Sequence, residues 1–154
     1  LTGALFWVVV IALSAFGGYQ VRGLLNAPPD APAQNVAQTI PWQPLSEEAI
    51  ENALAQGKLV FVDISADWCV TCKVNEHRVL SQPDVIAALR QPDVVALRGD
   101  WSQPSAFIAD FLAKRNRYAI PFNAVYGPGL PDGEILSPLL DKRTLVTPLN
   151  NAKG

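Results

Sequence analysis

The sequence predicts an α/β fold in which helices and strands pack in layers. Helical and strand-like patterns alternate along the chain from residue 46 onward. An apolar strand over residues 58–65 runs directly into a helix that carries the only cysteines, Cys69 and Cys72. The last two strand-like segments follow each other closely, which predicts a closing antiparallel hairpin.

The chain opens with an uncharged apolar stretch. Residues 1–21 contain no charged side chain and are long enough to cross a bilayer as a helix. We therefore predict a transmembrane helix over residues 1–24, with residues 1–21 in the membrane. A signal peptide and a buried soluble helix are the alternatives, although no basic segment precedes the apolar run as a signal peptide would require.

A proline-rich linker is predicted over residues 25–45. Five prolines lie among alanine, glutamine and asparagine in this stretch, and no apolar periodicity is present. Residues 39–42 are predicted to add a short edge strand. The globular domain is expected to span residues 46–154.

The first half of that domain contains a helix, a strand and a second, broken helix. Ser46 is a suitable N-cap for a helix whose first turn carries Glu47 and Glu48, and Gly57 is expected to end it. The strand over residues 58–65 follows. The cysteine helix starts near residue 70 and is broken at Pro83, where a further helical segment over residues 83–90 begins.

The second half is predicted to add three strands and a helix. A strand over residues 93–98 precedes a helix over residues 104–115 with a buried apolar stripe. Residues 122–126 and 134–136 then form the hairpin around a turn at residues 127–133. Thr147 and Pro148 suggest a last helix that ends almost at once, so the final helix is expected to be short.

The spacing of the two cysteines predicts redox chemistry. Cys69 and Cys72 share one helix face, and unpaired N–H groups at a helix start would stabilise a thiolate at Cys69. Cys72 is close enough to attack a mixed disulfide formed at Cys69. The alternatives are two structural thiols or half of a zinc site, for which His77 is the only other soft ligand.

The residues around the cysteines resemble those of a known family. Residues 62–63 and 66–73 look like the active-site segment of thioredoxins, although Val70 and Thr71 replace the usual Gly-Pro between the cysteines. Residues 75–76 and 79–80 look like the C-terminal domain of DsbD-type thiol:disulfide interchange proteins. Residues 120–129 resemble the ScsB branch of that group. The resemblance covers residues 46–140 and implies a thioredoxin fold, a central mixed sheet flanked by helices.

Four further residues acquire expected roles. A carboxylate at Asp63, inside an apolar strand, needs a partner or a raised pKa, and the resemblance implies that it takes the proton of Cys72. The alternative is an exposed carboxylate on an edge strand. The resemblance also implies a cis peptide bond at Ile120–Pro121, where substrate would bind, rather than an ordinary trans proline. Trp68 is expected to shape the same contact surface, unless it is simply a packed aromatic.

The resemblance also implies partners and a location. An upstream membrane domain of the same protein would pass electrons to the Cys69–Cys72 disulfide, and the acceptor would be a periplasmic thioredoxin-like or disulfide-containing protein. The domain would face the periplasm from the inner membrane, with a possible link to copper tolerance. No bound cofactor is expected, because thiols suffice for the exchange.

Two rival functions use the same cysteines. One is a disulfide-forming oxidase, and the other is a Cu(I)-handling module, which the absence of methionine disfavours. A net charge of −2 without a basic patch or a glycine-rich phosphate loop gives no support to nucleic-acid or nucleotide binding.

Overall fold

The computed structural model describes residues 39–153. The strands are β1 (Gln43–Pro44), β2 (Leu59–Ser65), β3 (Val94–Asp100), β4 (Phe122–Gly127) and β5 (Leu130–Ile135). The helices are α1 (Glu47–Ala55), α2 (Val70–Asn75), α3 (Pro83–Leu89), α4 (Ala106–Ala113) and α5 (Lys142–Asn151), and a π-helical turn over Glu76–Leu80 follows α2 directly.

A single mixed sheet with strand order β1-β3-β2-β4-β5 forms the centre of the domain. Strand β2 pairs parallel with β3 and antiparallel with β4, and β5 completes the antiparallel hairpin. The predicted α/β fold, with a central mixed sheet flanked by helices, is confirmed.

The sheet separates two apolar layers, because successive side chains of a strand point to opposite faces. On β2, Val60, Val62 and Ile64 pack with α1 and α4, in what we call the α1/α4 face. Leu59 and Phe61 point the other way, into the layer formed by the π-helical turn, α3 and α5, which we call the cysteine-helix face. Asp63 continues the second series and so lies on the cysteine-helix face.

Local capping explains the first helix. The Ser46 side chain accepts a hydrogen bond from the backbone N–H of Ala49 at 3.0 Å, as its position before two glutamates predicted. Gly57 follows the helix with a φ of +70°, a conformation that residues with a Cβ rarely adopt. The predicted start and end of α1 are therefore confirmed.

The last helix was predicted wrongly. It is not shortened but runs for ten residues, with Pro148 inside it. Asp141 and Thr144 form a capping box at its start, and Leu145, Pro148 and Leu149 are buried. Capping and burial together offset the one backbone hydrogen bond that proline cannot donate.

Both edge strands also differ from their predicted bounds. Strand β1 lies at Gln43–Pro44 rather than at residues 39–42, because Trp42 packs on Phe61 and brings the two residues after it alongside β3. Strand β5 begins at Leu130, so the turn between β4 and β5 is only two residues long. Proline has no N–H to donate to a neighbouring strand, and it is tolerated in both of these strands because one side of an edge strand has no neighbour.

The described part of the linker packs against the domain. Ile40 and Leu45 are each 8% exposed and contribute to the two apolar layers. Among residues 39–153, no helix has the length and apolar character needed to cross a membrane. The predicted transmembrane helix over residues 1–24 lies outside the described residues.

Candidate active site

The two cysteines form a disulfide where β2 gives way to α2. Their Cα atoms are 5.3 Å apart. Cys69 is the N-cap residue of α2 rather than a member of its first turn, and its Sγ accepts a hydrogen bond from the backbone N–H of Cys72 at 3.2 Å. That N–H would remain available to a thiolate at Cys69 after reduction.

The surface beside the disulfide is apolar. Trp101 and Ile120 pack against the buried cluster of Ala66, Cys69 and Cys72, in which the two cysteines are 6% and 4% exposed. Trp68, immediately before the pair, is 62% exposed, so the alternative that it is simply a packed aromatic is wrong. A partner that approaches the disulfide would meet these aromatic and aliphatic side chains first.

The Ile120–Pro121 peptide bond is cis, as the resemblance implied. It lies immediately before β4, and Pro121 is partly exposed. Because Ile120 packs against the cluster that contains both cysteines, this peptide bond lies near the disulfide.

Three polar side chains form a row across the sheet on its cysteine-helix face. Asp63 on β2 is directly opposite Arg98 on β3 and Asn123 on β4. Its Oδ2 accepts a hydrogen bond from Arg98 Nε at 2.8 Å, and its Oδ1 accepts one from Asn123 Nδ2 at 2.8 Å. Asp63 lies on the central strand and is 3% exposed, which rules out the edge-strand alternative.

The surroundings of Asp63 act on its pKa in both directions. Burial raises the pKa, and this effect outweighs the opposing effects of the Arg98 charge and of the hydrogen bonds from Asn123 and Arg98. The negative charge of Glu76 adds to the rise. Asp63 therefore has both features that the sequence offered as alternatives, a partner and a raised pKa.

Arg98 lies between Asp63 and the solvent. Its guanidinium lies over the Trp42 ring, 4.0 Å from the centroid, and its Nη1 is 3.6 Å from Glu76 Oε1. Arg98 also lines an open polar cleft of about 190 Å³, together with Asp67 and Lys73. The Arg98 side chain is 28% exposed and that of Asp63 is 4% exposed, so the arginine separates the carboxylate from water.

Sequence reasoning missed three residues of this arrangement. Trp101 packs against the cluster of Ala66, Cys69 and Cys72, and this contact depends on the fold rather than on neighbouring residues. Arg98 was seen only as a strand end, and its role depends on register. Asn123 carried a signal that went unused: it is a polar residue inside an apolar strand, as Asp63 is.

Within the described part of the chain, no three His, Cys, Asp or Glu side chains lie close enough together to hold a metal ion.

Comparison with known proteins identifies the family. A profile described as Thioredoxin-like matches residues 41–128. "Thiol:disulfide interchange protein DsbD 2" of Pseudomonas aeruginosa is 35% identical over 124 residues, which cover 75% of this chain and 20% of that protein. The protein named DsbD 1 of the same organism is 33% identical over 112 residues, 73% of this chain and 18% of the relative. The chain thus matches only about a fifth of the length of these relatives.

Solved structures agree on the fold. The oxidised C-terminal domain of DsbD from Neisseria meningitidis has a TM-score of 0.54 at 21% identity and covers 68% of this chain and 90% of its own. A thioredoxin from Thermus thermophilus has a TM-score of 0.52 at 25% identity and covers 71% and 83%. With the profile match over more than half of its length, this chain belongs to the thioredoxin-like family, and it has homologues named DsbD.

Proposed function

We propose that this domain transfers electrons by thiol–disulfide exchange, reducing disulfides of partner proteins outside the cytoplasm. The observation that carries the proposal is the Cys69–Cys72 disulfide at the start of α2, bordered by the exposed Trp68 and by the cis bond at Pro121. The name shared by the relatives, thiol:disulfide interchange protein, supports the same chemistry.

The exchange proceeds in two steps once the pair is reduced. The Cys69 thiolate attacks a partner disulfide, so that one partner sulfur leaves as a thiolate and a mixed disulfide remains. Cys72 then gives its proton to the Asp63 carboxylate and attacks Cys69. The second partner sulfur leaves as a thiolate, and the Cys69–Cys72 disulfide is restored.

The resemblance to DsbD-type proteins supports an electron source and a location for the domain. Two electrons and two protons from a dithiol in a membrane-embedded domain of the same protein reduce the Cys69–Cys72 disulfide. The domain faces the periplasm from the inner membrane and passes the electrons to a thioredoxin-like or disulfide-containing protein. The segment over residues 120–129, which resembles the ScsB branch, favours a dedicated partner connected with copper tolerance.

The reduction potential of the full chain tests the direction of electron flow. Equilibration against glutathione or dithiothreitol, read by thiol alkylation, is expected to give a value near that of thioredoxin, about −270 mV. A value near about −120 mV, as for a strong oxidant, would make disulfide formation the function instead. Stoichiometric binding of Cu(I) to the reduced chain, without reduction of glutathione disulfide, would favour the metal-handling alternative.

Two cysteine variants test the roles of the thiols. Cys72→Ser is expected to trap Cys69 in a stable mixed disulfide when it reacts with glutathione disulfide, whereas Cys69→Ser is expected to form far less mixed disulfide.

Asp63→Asn should change the pH dependence of the resolving step. An unchanged pH profile in that variant would exclude proton transfer through Asp63.

A further inference from the structure

We propose that Asn123 is a positioning residue for the proton transfer, and that its amide turns over when Asp63 gains or loses a proton. The proposal rests on the exchange reaction assigned to the cysteines above. Asn123 lies on β4 and donates a hydrogen bond to Asp63, so it would act on the cysteines through Asp63.

The arrangement around Asp63 decides which of its oxygens takes the proton. Arg98 Nε donates to Oδ2 at 2.8 Å, and a guanidinium keeps its charge and has no acceptor atom. A proton on Oδ2 would face that donor. The incoming proton therefore binds Oδ1, the oxygen that faces the Asn123 amide at 2.8 Å.

Protonation of Oδ1 reverses what that oxygen needs from its neighbour. The ionised oxygen accepts a hydrogen bond from Asn123 Nδ2, but a protonated oxygen must donate one. An amide has a donor and an acceptor end of similar size on one rotatable bond. A half turn of the amide places Asn123 Oδ1 where Nδ2 had been.

The acceptor required for that second state is already present. Asn123 is 1% exposed, and among residues 39–153 its Oδ1 is the buried side-chain oxygen or nitrogen that has no hydrogen-bond partner. Leaving a buried acceptor unpaired costs free energy. The turn of the amide would pair Oδ1 with the proton on Asp63 and would place Nδ2 in the position that Oδ1 had occupied.

With Oδ1 of Asp63 as the proton acceptor, each bond broken in the resolving step is matched by a bond formed. The S–H bond of Cys72 breaks and its proton forms an O–H bond at Asp63 Oδ1, which donates to the turned amide of Asn123. The Cys72–Cys69 bond forms, the bond from Cys69 to the partner sulfur breaks, and the electron pair leaves with that sulfur. Loss of the proton to water returns Asp63 and the amide to their first state.

The charged groups around Asp63 do not depend on Asn123. Arg98 approaches from β3, and Glu76 acts from the π-helical turn after α2. Lys73 on α2 is paired with Asp67 at 3.8 Å, and β4 carries no charged side chain. A substitution at Asn123 therefore alters the hydrogen bonding of Asp63 and leaves these charges in place.

The first test compares four variants of the full chain with the wild type, namely Asn123→Leu, Asp63→Asn, the double variant of these two, and Asn123→Thr. Asn123→Leu retains the branched shape of the side chain but neither donates nor accepts a hydrogen bond. We expect it to move the pH midpoint of glutathione disulfide reduction upward, with about a tenfold lower rate below the midpoint. Adding Asn123→Leu to Asp63→Asn should produce no further change in the pH profile. Asn123→Thr, whose hydroxyl can donate or accept, should restore a midpoint close to that of the wild type.

Each outcome is informative about Asn123. A purely structural role would lower the stability of Asn123→Leu and leave the midpoint unchanged, and that result would overturn the proposal. An additive shift in the double variant would also overturn it, since the effect would then not pass through Asp63. If Asn123→Leu does not fold, Asn123→Thr and the measurement below still decide.

Infrared spectroscopy of the resting oxidised protein, held at a pH below the midpoint so that Asp63 is protonated, reads the hydrogen bond directly. Asp63→Asn identifies the carbonyl band of the protonated Asp63 carboxyl, and we expect this band at a lower frequency in the wild type and in Asn123→Thr than in Asn123→Leu. A wild-type band typical of a carboxyl that donates no hydrogen bond would overturn the proposal. This measurement needs no turnover. An unreactive Cys69–Cys72 pair would therefore refute the proposed function but would leave the infrared test of Asn123 valid.

Discussion

The two faces of the sheet carry different kinds of side chain, although they are built from the same strands. On the α1/α4 face, Val60, Val62 and Ile64 of β2 are fully buried among other apolar residues. On the cysteine-helix face, the same strand places Asp63 beside Phe61. One residue of offset along a strand therefore separates apolar packing from a buried carboxylate.

This difference shows that the residue proposed to transfer the proton is also one that stabilises the fold less than an apolar residue would. Apolar burial on the α1/α4 face contributes favourably to folding at any pH. A buried carboxylate contributes less favourably as it ionises, even with Arg98 and Asn123 as hydrogen-bond donors. Substitutions on the α1/α4 face should thus change stability but not the pH dependence of thiol exchange, whereas substitutions in the polar row should change that pH dependence.

The largest expected effect is on the α1/α4 face. Phe111 is 1% exposed and packs edge-on against Phe122, with ring centroids 5.9 Å apart. Phe111→Ala should lower the free energy of unfolding by about 3–5 kcal/mol, because it removes a large buried side chain and leaves a cavity. Urea denaturation measures the loss. The pH midpoint of exchange in the folded variant should equal that of the wild type, and a moved midpoint would contradict the separation of the faces.

Asp63→Asn should change how stability depends on pH. Burial raises the pKa of Asp63, so the folded protein binds this proton more tightly than the unfolded chain does. Its contribution to stability is fully present below the ordinary pKa of about 3.8 and is lost as the pH rises through the raised value. The variant should therefore gain stability relative to the wild type as the pH increases. Denaturation at several pH values tests this, and a constant difference would refute it.

Loss of the α1 cap should have a smaller effect. Ser46→Ala removes the side-chain acceptor for the N–H of Ala49 and should cost about 1 kcal/mol. Thermal or urea unfolding measures it. Ser46→Asp, which retains an acceptor, is the matched control and should remain close to the wild type. Equal losses in both variants would mean that the cap is not the cause.

The smallest effect is expected at Glu47, with a pH dependence opposite to that of Asp63. The hydrogen bond from Arg115 lowers the pKa of Glu47, so its contribution is present above the ordinary value of about 4.5 and is lost as the pH falls through the lowered one. Glu47→Gln should cost less than about 1 kcal/mol at neutral pH, since the pair is partly exposed. The cost should disappear in acid. A cost that persists there would point to packing instead.

The sequence by itself determined the features that depend on neighbouring residues. Ser46 before two glutamates indicated the start of α1, and the apolar run over residues 58–65 indicated the central strand. The spacing of Cys69 and Cys72 indicated their pairing at the start of α2. Capping, strand periodicity and the reach of two thiols across one helical turn are all set within a few residues.

The tertiary structure decided the partners of Asp63 and the course of the last helix. Arg98 and Asn123 are 35 and 60 residues from Asp63 along the chain, and only the register of β3 and β4 on β2 brings them to it. Pro148 is tolerated inside α5 because its neighbours are buried against the rest of the domain. Contacts between distant residues carry no local signal, because they exist only once the sheet has formed and its layers have packed.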